Sequence, residues 1–505
     1  MPENTEQRPL VPHDSLQQQL ASYHERQRSR QRQRDCSEVI GRTVVSVVAL
    51  SFLTLLLLGL CWPGQPRDRA GELHHLLRVY QHSKHFSGVL RVSLNGHNEL
   101  AHAMGLANVP FTQVMTPTSV FRMGTHVHVL LAIAMLQLQE KNLVDVHSSV
   151  SDHWTLDEWR AFGLTNKHGT TWCPTLETSV ECQVVTFAHL LSMGSGIRTQ
   201  RTRSMQAFAS LGEQIGTFLK DSLAFRPGTS YSYADENTVL LAYMVEKLSG
   251  VRIKEYFEQY IFRPLGLNQT TYDPFAEAVH VREDMVDEYV QFYVDRERSN
   301  GTESARESSR INGSVSESDR LVERDVEHMG TGSCSIYKGF ENSIYGLQST
   351  SEDMHKLYTD LFHAHGRHSK ILQPNSLAQM VQTRNVANPA FGLGIRVEFG
   401  APRGKHETSW PEQIAFCGTT TCSTSCMAMQ MLPSNRSILS SVFTNEIHLD
   451  FPSLDAFHAY EPTQFLRTRI NTSEKVLFER EDGAANTLAW RLVHIFLRFY
   501  TASNE

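Results

Sequence analysis

The chain has 505 residues, 40% of them apolar and 20% charged, with a formal net charge of −7. This is an ordinary globular balance, and the length suffices for a large core, with two or three domains as the starting expectation. The mild acidity argues against a general nucleic-acid binder, which carries a strong basic excess, so no nucleic acid is expected among the partners.

The N-terminal 42 residues form an Arg-rich tail, with Arg26, Arg28, Arg30, Arg32, Arg34 and Arg42 preceding an uncharged run from Thr43 to Trp62. Twenty helical residues rise about 30 Å, the thickness of a bilayer's hydrocarbon core. The run is apolar on every face, unlike an amphipathic core helix, and it exceeds the apolar region of a cleaved signal peptide. One transmembrane helix is therefore expected over 43–62. Fewer basic residues follow it closely, namely Arg67, Arg69 and Arg78, which sets the N-terminus in the cytoplasm and the remainder in the lumen or exterior. The Arg/Gln run at 26–34 reads as a solvated juxtamembrane tail suited to anionic headgroups. All five N-x-S/T sequons, at Asn268, Asn300, Asn312, Asn435 and Asn471, follow the span, as expected of a glycosylated ectodomain.

Of eight cysteines, Cys36 and Cys61 lie in or before the span, whereas Cys173, Cys182, Cys334, Cys417, Cys422 and Cys426 follow it. Six cysteines form a disulfide set in any of fifteen ways. Cys173 and Cys182 bracket one short loop and are the favoured local pair. A metal site is the alternative for Cys417, Cys422 and Cys426. Their spacing fits no zinc pattern and no close histidine completes it, so neither a metal nor another cofactor is expected.

Residues 63–70, with Pro63, Gly64 and Pro66, read as a linker to an ectodomain over 71–505. Ala70 to His85 places Leu73, Leu76, Leu77 and Tyr80 on one helical face. A hairpin follows: Gly88 to Leu94 alternates, and Asn95-Gly96 is a type I′ turn signal. Phe121 to Glu140 reads as strand end, turn and buried helix, with Val127, Leu130, Leu131, Ala134, Met135 and Leu138 in a wide apolar stripe. Asn142 suits a left-handed helix stop. Residues 296–332 are polar, almost devoid of large apolar side chains, and read as a disordered or loosely ordered surface insertion. Ser437 to Phe443 reads as a buried strand, and Asn486 to Tyr500 as a helix with Leu488, Leu492, Ile495, Phe496 and Phe499 on one side.

Four segments, in order, resemble the serine β-lactamase/penicillin-binding superfamily, nearest its class C β-lactamase-like, family S12 peptidase-like branch. Phe121-Arg-Met-Gly-Thr-His-Val-His128 and Leu143–Val150 resemble the nucleophile helix and its loop. Val185–Ile197 is similar to the "T-x-x-x-L-L-x-H-T-S-G" segment. Phe225–Asp235 and Ile261–Leu267 look like the "P-G…Y-S-N" element and its "PLGL" sequel. Tyr345–Met354 resembles "GGL-x-ST-x-x-DM". The resemblance spans roughly residues 72–500. It implies an α/β fold in which an antiparallel sheet is flanked by helices and joined to a helical subdomain, with the active site between them.

The family's catalytic positions are altered here. S-x-x-K places a lysine one helical turn after the serine, close enough to take its proton. Thr125 and His128 stand at those positions. Either they form a nucleophile and base, with the branched threonine crowding attack, or Thr125 is a helix N-cap and His128 a satisfied histidine. At Y-x-N, Tyr233 survives as a proton relay or a packing tyrosine, and Asp235 replaces the asparagine, where it suits pairing with His128. The K-T-G or H-x-G strand maps onto Gly418, Thr419 and Thr420, without a basic residue, and a catalytic Cys417 is a further alternative there. The "H-T-S-G" histidine is replaced in Met193-Gly194-Ser195-Gly196. Three functional readings stay open: a pseudoenzyme binding an unknown ligand or protein partner, an acyl hydrolase or peptidase acting on peptide, amide or ester bonds through Thr125, and a glycosylated structural surface protein.

Overall fold

The computed structural model describes residues 69–83, 86–162, 172–199, 210–273, 285–295, 326–333, 346–382, 391–398, 410–420, 423–451 and 484–502, with scattered positions between 22 and 29. The chain divides into two units, Met1–Arg67 and Asp68–Glu505. In the first, the described positions are helical, and Ser29 Oγ donates to Arg26 O at 3.0 Å. The second holds the fold described below.

Its main sheet has six strands, β1 (Gly88–Leu94), β2 (His97–Met104), β10 (Arg396–Glu398), β11 (Gln413–Thr419), β12 (Thr424–Leu432) and β13 (Arg436–Thr444), in the order β10-β11-β12-β13-β1-β2. Every neighbouring pair is antiparallel. Strands β1 and β13 are buried along nearly their whole length, whereas β2 starts exposed, as fits two central strands and one edge. The β1–β2 turn uses Asn95 and Gly96 at φ of 52° and 82°, the left-handed pair that a type I′ hairpin demands.

Side chains alternate across β1. Leu90 and Val92 face a layer built from α1 (Arg69–Ser83) and α10 (Ala484–Ala502), where Leu76, Leu77, Tyr80, Leu488, Leu492 and Phe496 are buried. Arg91 and Ser93 face the other way, onto α8 (Ser351–Phe362): Arg91 Nε donates to Ser351 Oγ at 3.2 Å, and Ser93 Oγ lies 3.0 Å from His355 Nδ1. This is the period of two expected of a strand covered on both faces.

The helical subdomain centres on α2 (Val127–Glu140). All residues from Val127 to Leu138 are buried, so the helix is apolar nearly all round. Around it lie α3 (Leu156–Ala161), α4 (Phe187–Leu191), α5 (Leu211–Phe218), α6 (Asp235–Ser249), α7 (Ile253–Phe257) and α9 (Pro374–Val381). Asn142, at φ 57°, follows α2 as its sequence suggested, and Gly250, at φ 72°, caps α6. Small sheets complete the unit: β3 (Leu106–Asn108) with β4 (Gln113–Val114), and β5 (Phe121–Arg122) with β9 (Leu347–Ser349) and β6 (Thr271–Tyr272).

Two boundaries are corrected. Helix α1 begins at Arg69, inside the expected 63–70 linker. The expected insertion at 296–332 contains most of β8 (Val326–Ser333), which pairs antiparallel with β7 (Tyr289–Asp295), itself parallel to β14 (Glu446–Phe451). The β8 sequence VEHMGTGS is too polar to announce a strand. Its order comes from backbone pairing along the more apolar YVQFYVD of β7. Among the described residues no helix is long and apolar enough to cross a membrane. The expected span at 43–62 lies outside them, as do most of the tail, Cys36, Cys61, Cys334, Cys422, Asn300, Asn312 and Asn471.

Candidate active site

The chain enters the site along β5 and turns at Gly124, whose φ of 50° suits a glycine. Gly124–His126 form a 3₁₀ turn, and α2 starts at Val127 with His126 as its N-cap. Thr125 therefore sits inside the turn, 3% exposed, and is not the cap residue considered from sequence. The helix coils one residue later than the spacing alone implied.

His128 lies in the first turn of α2 and is 1% exposed. Its Nε2 is 3.0 Å from Leu191 O, and its Nδ1 is 3.4 Å from Thr238 Oγ1. A carbonyl only accepts, so Nε2 carries the proton and the lone pair on Nδ1 faces the Thr238 hydroxyl. Both ring nitrogens thus have partners other than Thr125 and Asp235. Burial lowers the imidazole pKa to about 4, and the bond to Leu191 O opposes this only in part. At neutral pH the ring is uncharged and weakly basic.

His126 was not singled out by the sequence pattern, yet it closes the other side of the turn. It is fully buried, with Nε2 2.9 Å from Ser425 O, so Nε2 is its donor. Its Nδ1 has no hydrogen-bond partner among the described residues. The ring packs against Phe416, centroids 5.0 Å apart, and its pKa too falls to about 4, through burial first, with the bond to Ser425 O opposing. A Cβ at Gly418 would collide with this imidazole and with Met123 O. Gly418 is therefore required by close packing, and His126 fills the space above the strand.

Tyr233 is 7% exposed, and its carbonyl accepts from Thr199 Oγ1 at 3.1 Å. Asp235 is the first residue of α6, where a carboxylate complements the helix dipole. Thr238, in the next turn, meets His128, so the Tyr233–Asp235 segment leads into the helix that packs on α2. Behind it, Ser195 Oγ donates to Asn237 Oδ1 at 2.6 Å, and Met193 takes a left-handed φ of 56°. Met193–Ile197 is thus a turn tied to α6.

On the third side, β11 carries Gly418 and Thr419, paired with Ser425 and Thr424. Thr420 falls in the turn, where Thr420 Oγ1 and Ser423 Oγ each donate to Glu288 Oε1 at 2.8 Å. Glu288 is 4% exposed. It locks a turn in which glycines would leave room for a substrate. Cys417 and Cys426 face each other across β11 and β12 and are disulfide-bonded, as are Cys173 and Cys182. The second pair is the one expected. The first leaves neither a free Cys417 nucleophile nor a three-thiolate metal set, because bonded sulfurs are not thiolates.

The structure packs the Gly124–His126 turn against Gly418, and Thr238 of α6 meets His128. It directs His128 away from Thr125 and inserts His126. The beta-lactamase family profile matches residues 73–422. A protein of Escherichia coli (strain K12) bearing the name D-alanyl-D-alanine carboxypeptidase is 33% identical over 66 residues, 13% of this chain and 15% of its own length. A penicillin-binding protein of Bacillus subtilis (strain 168) is 21% identical over 211 residues, 40% of this chain and 42% of its own. The chain thus spans less than half the length of these relatives. The octameric penicillin-binding protein homologue of Pyrococcus abyssi superposes with a TM-score of 0.52 at 17% identity, covering 80% of this chain and 78% of that one. At that identity the likeness concerns the fold.

Proposed function

The chain belongs to the beta-lactamase family, and from that premise we propose that it is a membrane-anchored pseudoenzyme, a scaffold that binds a ligand or protein partner without acyl turnover. The observation that carries this reading is His128. The residue in the general-base position is buried, bonded to Leu191 O and faced by Thr238, with a pKa near 4. A base is most effective with a pKa near the working pH, and this one has neither the basicity nor the direction to deprotonate Thr125. The His126 ring packed over Gly418 and the Glu288 bond to Thr420 support the same reading. The membrane anchor rests on the uncharged 43–62 run and the arginines before it.

The competing reading makes Thr125 the nucleophile of an acyl hydrolase, with Tyr233 as relay and backbone N–H groups as oxyanion hole. One observation favours it: Nδ1 of the neighbouring His126 has no hydrogen-bond partner among the described residues. Intact-mass measurement after incubation with a fluorophosphonate and with a β-lactam decides between them. No adduct on Thr125 is the expected result. An adduct that disappears in Thr125→Ala would overturn the pseudoenzyme. Thermal-shift screening for ligands separates it from a purely structural surface protein.

A further inference from the structure

Asn268 opens an Asn-Gln-Thr sequon in the exposed turn between the helical turn Arg263–Leu265 and β6. This turn is clamped to α8. Gln269 N donates to Asp353 Oδ2 at 2.8 Å, and Thr270 Oγ1 donates to the same oxygen at 2.9 Å. Asp353 is buried in the first turn of α8, and its other oxygen accepts from Lys356 Nζ at 2.9 Å. Lys356 Nζ also reaches Gly266 O at 3.5 Å. Backbone on both sides of Asn268 is thus fixed, while Asn268 itself stays exposed.

Beside it lies a recess of about 460 Å³, lined by Asn268, Thr118, Thr350, Glu352 and Lys356 among others. None of its lining residues belongs to the Thr125 site. Its volume is that of a small-molecule pocket, roughly 300–1,000 Å³, but its walls present hydroxyls, a carboxylate and an ammonium. Such groups suit a ligand rich in hydroxyl and amide groups.

We propose that Asn268 carries an N-linked glycan whose core sugars lie in this recess. The proposal rests on the luminal or exterior orientation in the reading above. In the transfer, the Asn268 amide nitrogen bonds to the anomeric carbon of a lipid-pyrophosphate-linked oligosaccharide. The carbon–oxygen bond to the pyrophosphate breaks, the lipid pyrophosphate leaves with the electron pair, and the amide proton passes to a base of the transferase.

The full chain, made in a eukaryotic secretory host, is treated with a glycan-releasing amidase in heavy-oxygen water, which marks each formerly modified asparagine as aspartate. Peptide mass spectrometry is expected to mark Asn268, with release only after denaturation, and Asn268→Gln is expected to remove that mark alone. An unmarked Asn268 beside another marked sequon overturns the proposal while the orientation stands. Absence of any mark overturns both. Release from folded protein as fast as from denatured protein overturns the seating in the recess.

Discussion

His126 and His128 are both enclosed, and both are held well below the ordinary histidine pKa of about 6.5, at about 4, chiefly by burial. His355, between Ser93 and Ser441, is pushed the same way by burial and by Arg91. A group whose folded pKa is lowered binds fewer protons in the native state. Its contribution is complete above the unfolded pKa and is lost as pH falls from about 6.5 toward 4. Urea unfolding at pH 7 and pH 5 should show a loss of roughly 2 kcal/mol for each of the first two histidines. A flat profile, or one with less slope than an exposed-histidine control, would contradict their placement. The spacing of Thr125 and His128 made this turn readable in the sequence, but the direction of the His128 ring was not, since Leu191 lies 63 positions away. His126 and Glu288 were illegible for the same reason: Ser425 and Thr420 lie 299 and 132 positions from them. A buried histidine's partner is a tertiary fact.

Elements with local chemistry were legible. The Asn95-Gly96 hairpin, the Asn142 stop and the helices at both ends of the domain follow from turn preference and 3.6-residue periodicity. Strand β8 was not, because its stability resides in pairing with a strand 30 or more residues earlier in the chain. The Cys173–Cys182 bridge belongs with the legible set. It closes a loop with a sequence separation of 9 between two cysteines that are not buried. Replacing both by serine leaves no core cavity, so its cost should reflect loop closure, about 3 kcal/mol. Denaturant titration of the double variant checks this, and a stability equal to that of the parent would show that the unbridged loop is already confined.

At the scale of the molecule, the main sheet is covered on one side, among the described residues, by a layer that α1 and α10 supply. Leu492 is fully buried there with Leu90, Val92, Ile438 and Val442 in the same cluster, and Ser440 Oγ donates to Ala489 O at 2.7 Å. Leu492→Ala should cost about 2–5 kcal/mol through lost burial and the cavity left behind. Calorimetry on the purified variant would read this as a clear drop in Tm, and an unchanged Tm would mean that α10 is not part of the cooperative core. The sheet and its helices were inferable from sequence by resemblance. The packing of His126 over Gly418 was not, because it joins segments far apart in the chain.

The pairing of α1 with α10 brings the two ends of the domain together. Arg69 stacks on the Phe496 ring at 5.0 Å, and Arg498 bonds to Glu72 at 2.8 Å. A short linker could join residue 502 to residue 69 without crossing the fold, and the order of elements could then be circularly permuted, with new ends opened at the exposed Ser434-Asn435 turn. A cargo fused after the last helix would leave the domain from the same patch as the chain leading in.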